Sequence, residues 1–138
     1  MHIEIKGLDR LIRKLNGRVL LYGPLREFFV KATGHGESKA KIRAPYRHGT
    51  LRRNIYSEVD SGEPPKWGRV WTDITSRGFA YGSFLDRSAR THYRAHELFS
   101  GNPTQGWFSK DARQDSMPGI RALLAELSAR VKAIWDGA

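Results

Sequence analysis

Cysteine is absent from the 138 residues, so disulfide bonds and thiolate metal sites are excluded, and a reducing compartment is the natural setting. No apolar run approaches the ~18 residues that a membrane span requires. The opening MHIEIKGLDRL also lacks the cationic and apolar segments of a leader. We therefore expect a soluble, unprocessed protein that forms one domain over residues 1–138, long enough to bury a core without covalent staples.

Acidic residues are scarce: 14 Asp and Glu stand against 24 Lys and Arg, which gives a net charge of +10. This excess predicts attraction to polyanions such as nucleic acid, and it says nothing about the fold. More than half of it falls between Arg26 and Arg53, where eight Lys or Arg stand against two Glu. Such a run is typical of a nucleic-acid contact and equally of a solvated helix face.

Helical spacing of apolar residues marks three segments. A short amphipathic helix is expected within residues 8–17, and a long basic helix between Pro24 at its first position and Pro45, which stops it. A C-terminal amphipathic helix is expected from Pro118 to Gly137. The apolar stripe of this last helix comprises Ile120, Leu123, Leu124, Leu127, Val131 and Ile134.

Alternation of apolar and polar residues predicts a small antiparallel sheet. Ile3 and Ile5 fit a short strand or arm, while residues 51–59 and 67–75 predict a β-hairpin. Residues 86–116 show no clear periodicity and predict a long irregular loop, flexible or ordered only on assembly. The expected fold class is therefore α+β: a short N-terminal helix, a long helix packed on a small antiparallel sheet, the irregular loop and the C-terminal helix.

Four tryptophans are many for a chain of this length. We predict that Trp71 and Trp135 lie in the core, and that Trp67 and Trp107 lie in loop-like settings where aromatic residues often form subunit contacts. The candidate subunit-interface aromatics are Trp67, Tyr93, Trp107 and Phe108.

Motifs for catalysis are weak. Residues 34–39 (GHGESK) lack the order of a phosphate-binding loop, and Ser83 lacks the second glycine of a nucleophile elbow. His92 and His96 have the spacing of a metal pair on a helix, but two surface histidines are the favoured interpretation. An enzyme that uses these histidines with Asp86 is the third of three functional hypotheses. We predict no catalytic, cofactor or metal site.

Several motifs together resemble the neck or minor tail-component family of long-tailed bacteriophages. They are the opening IEIKGLD at residues 3–9, Ala-Pro at 44–45, and GTLRRNI at 49–55. The stretch YGSFLD at 81–86 and residues 103–112 with their Trp-Phe pair are similar to later blocks of that family.

The resemblance implies a small α+β protein without catalysis that forms an oligomeric ring at the junction of capsid and tail. Its implied partners are further copies of itself, neighbouring head–tail connector and tail proteins, and the DNA that passes through. No membrane is involved; the implied location is the neck or tail of the virion, and the host cytoplasm during assembly.

Non-specific phosphate contacts would suffice for such a ring. The candidate DNA-facing or intersubunit cations are Lys39, Lys41, Arg43, Arg47, Arg52 and Arg53. The alternative, drawn from the basic helix and the hairpin, is an RNA-binding module or an RNA-targeting toxin.

Overall fold

The computed structural model describes residues 1–14, 19–44, 50–72, 75–76, 79–80 and 106–136. Within these ranges the α-helices are α1 (Leu8–Lys14), α2 (Tyr22–Arg43), α3 (Thr50–Arg53) and α4 (Arg113–Asp136). The strands are β1 (His2–Glu4), β2 (Ile55–Val59), β3 (Trp67–Thr72), β4 (Thr75–Ser76) and β5 (Phe79–Ala80). A 3₁₀ turn at Val19–Leu21 leads into α2, and a π-helical turn at Trp107–Ala112 leads into α4. The expected α+β class is confirmed.

Helix α2 is the centre of the fold, because it packs on the sheet and on α4. The predicted apolar stripe is buried, and the helix begins two residues before the predicted start at Pro24. Pro24 therefore occupies the first turn, where a backbone N–H would have no helical partner in any case. The buried residues of α2 are Pro24, Leu25, Phe28, Phe29, Ala32, Thr33, Gly36 and Ala40.

Strands β1, β3 and β2 form one antiparallel sheet in that order, with Ile3 opposite Gly68 and Ser57 opposite Val70. The predicted hairpin of β2 and β3 is confirmed, but its second strand ends at Thr72, and Thr75 lies in β4. Gly68 and Val70 are buried on the face towards α2, so alternation along β3 directs its larger aromatic residues to the other face. The short strands β4 and β5 pair with each other.

Asp60 fixes the loop that joins β2 to β3. Its two carboxylate oxygens accept hydrogen bonds from the backbone N–H groups of Gly62 and Lys66, each at 3.0 Å. These two bonds lower the pKa of Asp60 below its ordinary value. The guanidinium of Arg26 donates to the carbonyl of Gly62 at 3.1 Å, and the loop is thereby bound to α2.

One expectation for the hairpin is wrong. Leu51 does not begin a strand, since it lies in the helical turn α3, and β2 begins only at Ile55. Both side chains are nevertheless buried in one core cluster. Residues four apart share a face in a helix as well as in a strand, so the spacing alone fits both structures.

The start of the C-terminal helix is also different from the prediction. Pro118 lies inside α4, and the chain is helical from Trp107 onwards. The carbonyl of Gln114 loses its helical partner at this proline, but both residues are exposed and water can replace the bond. The irregular loop predicted for residues 86–116 is therefore wrong for 107–116; Gly106 lies in a turn, and 86–105 lie outside the described residues.

The buried apolar residues form two clusters at opposite ends of α2. The first cluster comprises Ala40, Ala44, Leu51, Ile55, Val70, Trp107 and Ala112. The second cluster comprises Ile3, Leu8, Leu21, Leu25, Phe28, Phe29, Ala32 and Leu127.

Candidate interaction surfaces

The predicted cations at the end of α2 are largely paired within the chain. Nζ of Lys41 lies 2.5 Å from Oε1 of Glu37, one helical turn earlier. Burial raises the pKa of Glu37, but hydrogen bonds from Lys41 and Ser57 outweigh this effect, and the pKa stays below its ordinary value. Lys41 is therefore locally neutralised.

Arg43 connects the end of α2 to the start of α4. Its Nε donates to Oδ2 of Asp115 at 2.6 Å and its Nη2 donates to Oδ1 at 3.2 Å. This two-bond geometry is the stronger form of a charged hydrogen bond. The hydrogen bond from Arg43 holds the pKa of Asp115 below its ordinary value against the opposing effect of burial, and the charge of Lys39 adds to it.

The other predicted cations differ in exposure. Lys39 and Arg52 are half-buried, and Arg53 is exposed on α3, which packs against α2. Arg47 lies outside the described residues. The structure thus brings Lys39 and Arg43 together at Asp115, and a role of these cations in contacting DNA or a neighbouring subunit remains a prediction.

The environments of Trp107 and Trp135 are opposite to the predicted ones. Trp107 is only 1% exposed and lies in the first core cluster, because residues 107–112 form a helical turn that packs on α2. Its indole contacts the half-buried ring of Phe108 edge-on, with the centroids 5.3 Å apart. The loop-like setting predicted for Trp107 is therefore wrong, while a role of this residue in a subunit contact stays a prediction. Trp135 is 56% exposed, since it lies about 100° around α4 from Ile134 and leaves the buried stripe.

Trp67 and Trp71 lie half-buried on the outer face of β3, and neither is in the core or in a loop. The guanidinium of Arg69 lies between them, 5.9 Å from the ring centroid of Trp67 and 5.4 Å from that of Trp71. The ring of Tyr56, directly opposite on β2, is 5.3 Å from Trp71. Tyr93 lies outside the described residues. The odd parity of positions 67, 69 and 71 was a signal for this aromatic face.

Two grooves along α4 were not predicted. The α1–α4 groove has a volume of about 380 Å³ and is bounded by α1, α2 and the second half of α4. Its lining is apolar except for Ser128 and Lys132, and the exposed Trp135 contributes to it from the C-terminal end of α4. The main lining residues are Ile5, Leu8, Leu11, Leu124, Val131 and Trp135.

The β1–α4 groove is larger, about 720 Å³, and shares Ile5 and Leu124 with the first. One wall consists of residues 1–6, and the other of Arg113, Met117, Ile120, Arg121 and Leu124 on α4, with Phe28 of α2 between the walls. A signal for these grooves was the width of the apolar stripe of α4, which exceeds what packing on α2 alone can cover.

No three His, Asp or Glu side chains cluster as a metal site within the described residues, and His92 and His96 lie outside them. In the same ranges, no helix has the length and hydropathy to cross a membrane. Comparisons with protein-family models, curated proteins and solved structures found no match.

Proposed function

We propose that the chain is a structural subunit of a tailed phage, prophage or phage-derived particle, which assembles into an oligomeric ring at the head–tail junction. The sequence motifs that resemble the neck and minor tail-component family support this proposal, as does the small α+β fold with its excess of positive charge.

The observation that carries the proposal is the α1–α4 groove. Isolated exposed apolar residues are common on monomeric proteins, but a continuous apolar groove with an exposed indole at its end is typical of a surface that a neighbour covers. The occupant that we propose is a second copy of the chain. Tryptophan is also among the residues that contribute most to binding at such contacts.

Native mass spectrometry of the full chain tests this proposal. We expect oligomers for the wild type and a shift towards monomer for Trp135→Glu, because the carboxylate would be buried in the contact. The matched control is Val30→Glu, which also replaces an exposed apolar side chain by a carboxylate. Val30 is 53% exposed and lines neither groove. Monomers alone for the wild type, both in isolation and mixed with neighbouring connector proteins, would contradict the ring.

Contact with passing DNA is tested separately through α3. If both side chains reach phosphates, the double variant Arg52→Ala/Arg53→Ala should make the negative slope of log K against log salt for duplex DNA shallower by about 2. An unchanged slope would assign these arginines to the solvated surface or to a subunit contact.

A second candidate, an RNA-binding module, is favoured by one observation: the aromatic face of β2 and β3 carries three rings and Arg69. Single-stranded RNA binds such faces by base stacking. Against it, Arg69 already covers the two indoles and is paired with Glu58 at 2.5 Å. RNA binding that persists at moderate salt and is lost in Trp71→Ala would favour this candidate over the ring.

A further inference from the structure

The first strand of the sheet has one edge that no other described strand covers. Val70 donates its N–H to the carbonyl of Met1 at 2.7 Å, and the amino group of Met1 donates to the carbonyl of Val70 at 2.8 Å. Antiparallel ladders alternate, so the next bonded pair is Ile3 with Gly68. The N–H and C=O groups of His2 and Glu4 therefore point away from β3, and both residues line the β1–α4 groove.

The two walls of this groove match in length. Residues 1–6 span about 17 Å as an extended chain. The stretch of α4 from Arg113 to Leu124 also spans about 17 Å, at 1.5 Å per residue. A strand added about 4.8 Å beyond β1 would enter the groove whose other wall is this stretch of α4. It would cover the half-buried Met117 and Ile120 and the exposed Leu124 while pairing with the edge of β1.

The charges around the groove define the occupant further. Lys6, Arg113 and Arg121 are exposed at its rim, with Glu4 as the one carboxylate among its lining residues. Arg113 and Arg121 are eight residues apart on α4, a distance of about 12 Å. An extended strand covers this distance in about four residues, and residues four apart in a strand lie on the same face.

We propose that the β1–α4 groove binds an extended segment of another protein, which adds a fourth strand to the sheet at β1. The segment carries two acidic residues four positions apart on the face towards α4, opposite Arg113 and Arg121, with an apolar residue between them over Met117 and Ile120. The backbone pairing supplies affinity and the alternate side chains supply specificity, as in other strand-addition complexes.

A second copy of the chain fits this groove less well than an acidic partner does. The chain has a net charge of +10, so a second copy would bring further positive charge to a cationic rim. The inference does not depend on the proposed role at the head–tail junction, and its failure would leave that role untouched.

Fluorescence anisotropy with a designed probe tests the inference. The probe is the labelled, end-blocked peptide Leu-Thr-Glu-Thr-Val-Thr-Glu-Thr-Leu, whose side-chain pattern is the same in both strand directions. We expect saturable binding to the full chain below about 1 mM protein, and binding weaker by about tenfold for Arg121→Glu. A peptide with Lys in place of both Glu should bind the double variant Arg113→Glu/Arg121→Glu better than it binds the wild type.

Two further measurements make the test specific. The control variant Lys14→Glu has the same net charge as Arg121→Glu, but Lys14 lines neither groove, so it should leave peptide affinity within about twofold. In NMR hydrogen exchange, saturating peptide should slow the amides of His2 and Glu4. Four results would overturn the inference: absence of binding, an equal loss of affinity for both variants, His2 and Glu4 amides that are already protected in the free chain, or protection of these amides on self-association.

Discussion

Gly68 allows β3 to approach α2 closely, and we predict that Gly68→Ala destabilises the protein. A Cβ at this position would lie 2.5 Å from Cγ2 of Thr33, a separation that real Cβ atoms essentially never show. Thr33 cannot easily turn aside, because its buried hydroxyl donates to the carbonyl of Phe29 at 2.8 Å. The added methyl must therefore push the strand and the helix apart.

Overpacking of this kind costs about 1–3 kcal/mol of unfolding free energy. The variant Thr33→Ser removes the conflicting methyl and keeps the hydroxyl, and on its own it should cost about 0.5–1.5 kcal/mol for the lost methyl. In the Thr33→Ser background, alanine at Gly68 should be close to neutral. The two changes should therefore couple favourably by about 1–3 kcal/mol in a double-mutant cycle.

Urea unfolding followed by circular dichroism measures all four corners of this cycle. The matched control is Gly34→Ala on α2, where the new Cβ meets no atom within 4 Å. This change should stabilise the protein by about 0.5–1 kcal/mol, since it removes a glycine from a helix interior. If the free energies of the Gly68 and Thr33 variants simply add, the proposed close contact between β3 and α2 is refuted.

Three further predictions concern the buried Trp107 and the ion pairs of Glu27 and Asp115. Trp107→Ala should lower the unfolding free energy by about 3–5 kcal/mol and Trp107→Phe by less, as measured in urea; equal small losses would contradict its core position. Hydrogen bonds from Lys31 and, to a smaller extent, from Arg130 lower the pKa of Glu27 to about 2. In Lys31→Met this pKa should rise, as measured by NMR titration of the carboxyl. Pairing with Arg43 lowers the pKa of Asp115 from its ordinary value of 3.8. The ion pair therefore stabilises the folded protein above the unfolded-state pKa of this carboxyl, and this stabilisation is lost as the pH falls through the folded-state pKa. Arg43→Met should remove this part of the acid dependence of the urea midpoint, a loss of no more than about 1 kcal/mol for so exposed a pair.

The helices and the hairpin could be predicted from the sequence because their residues bury one continuous face. The buried stripe of α2 keeps helical spacing from Pro24 to Ala40, over more than four turns, and the period of a strand does not fit it. The helical turn at Leu51 could not be predicted in this way, because the spacing of four residues between Leu51 and Ile55 fits a helical turn and a strand equally.

The site residues were less predictable, because their environments depend on elements far away in the chain. Asp115 pairs with Arg43, which lies 72 residues earlier in the sequence, and no local sequence pattern predicts such a partner. Trp107 followed an irregular stretch of sequence, and only its packing against the end of α2 places it in the core. The width of the apolar stripe of α4 indicates that more than α2 packs against this helix, but the volumes and the opposite walls of the two grooves depend on the spacing between elements, which hydrophobic periodicity does not encode.

The division of the core into two clusters has a consequence for dynamics. Among the described elements, α2 alone contributes buried residues to both clusters, so its central amides should exchange with solvent only when the whole domain opens. The buried apolar residues of α1 and α4 are Leu8 and Leu127, and both belong to the second cluster. Helix α1 and the last turns of α4 can therefore detach at a lower free energy than global unfolding requires. Each end of the molecule can thus fluctuate while the other stays folded on α2, and a surface such as the α1–α4 groove can adjust to a neighbour without global unfolding.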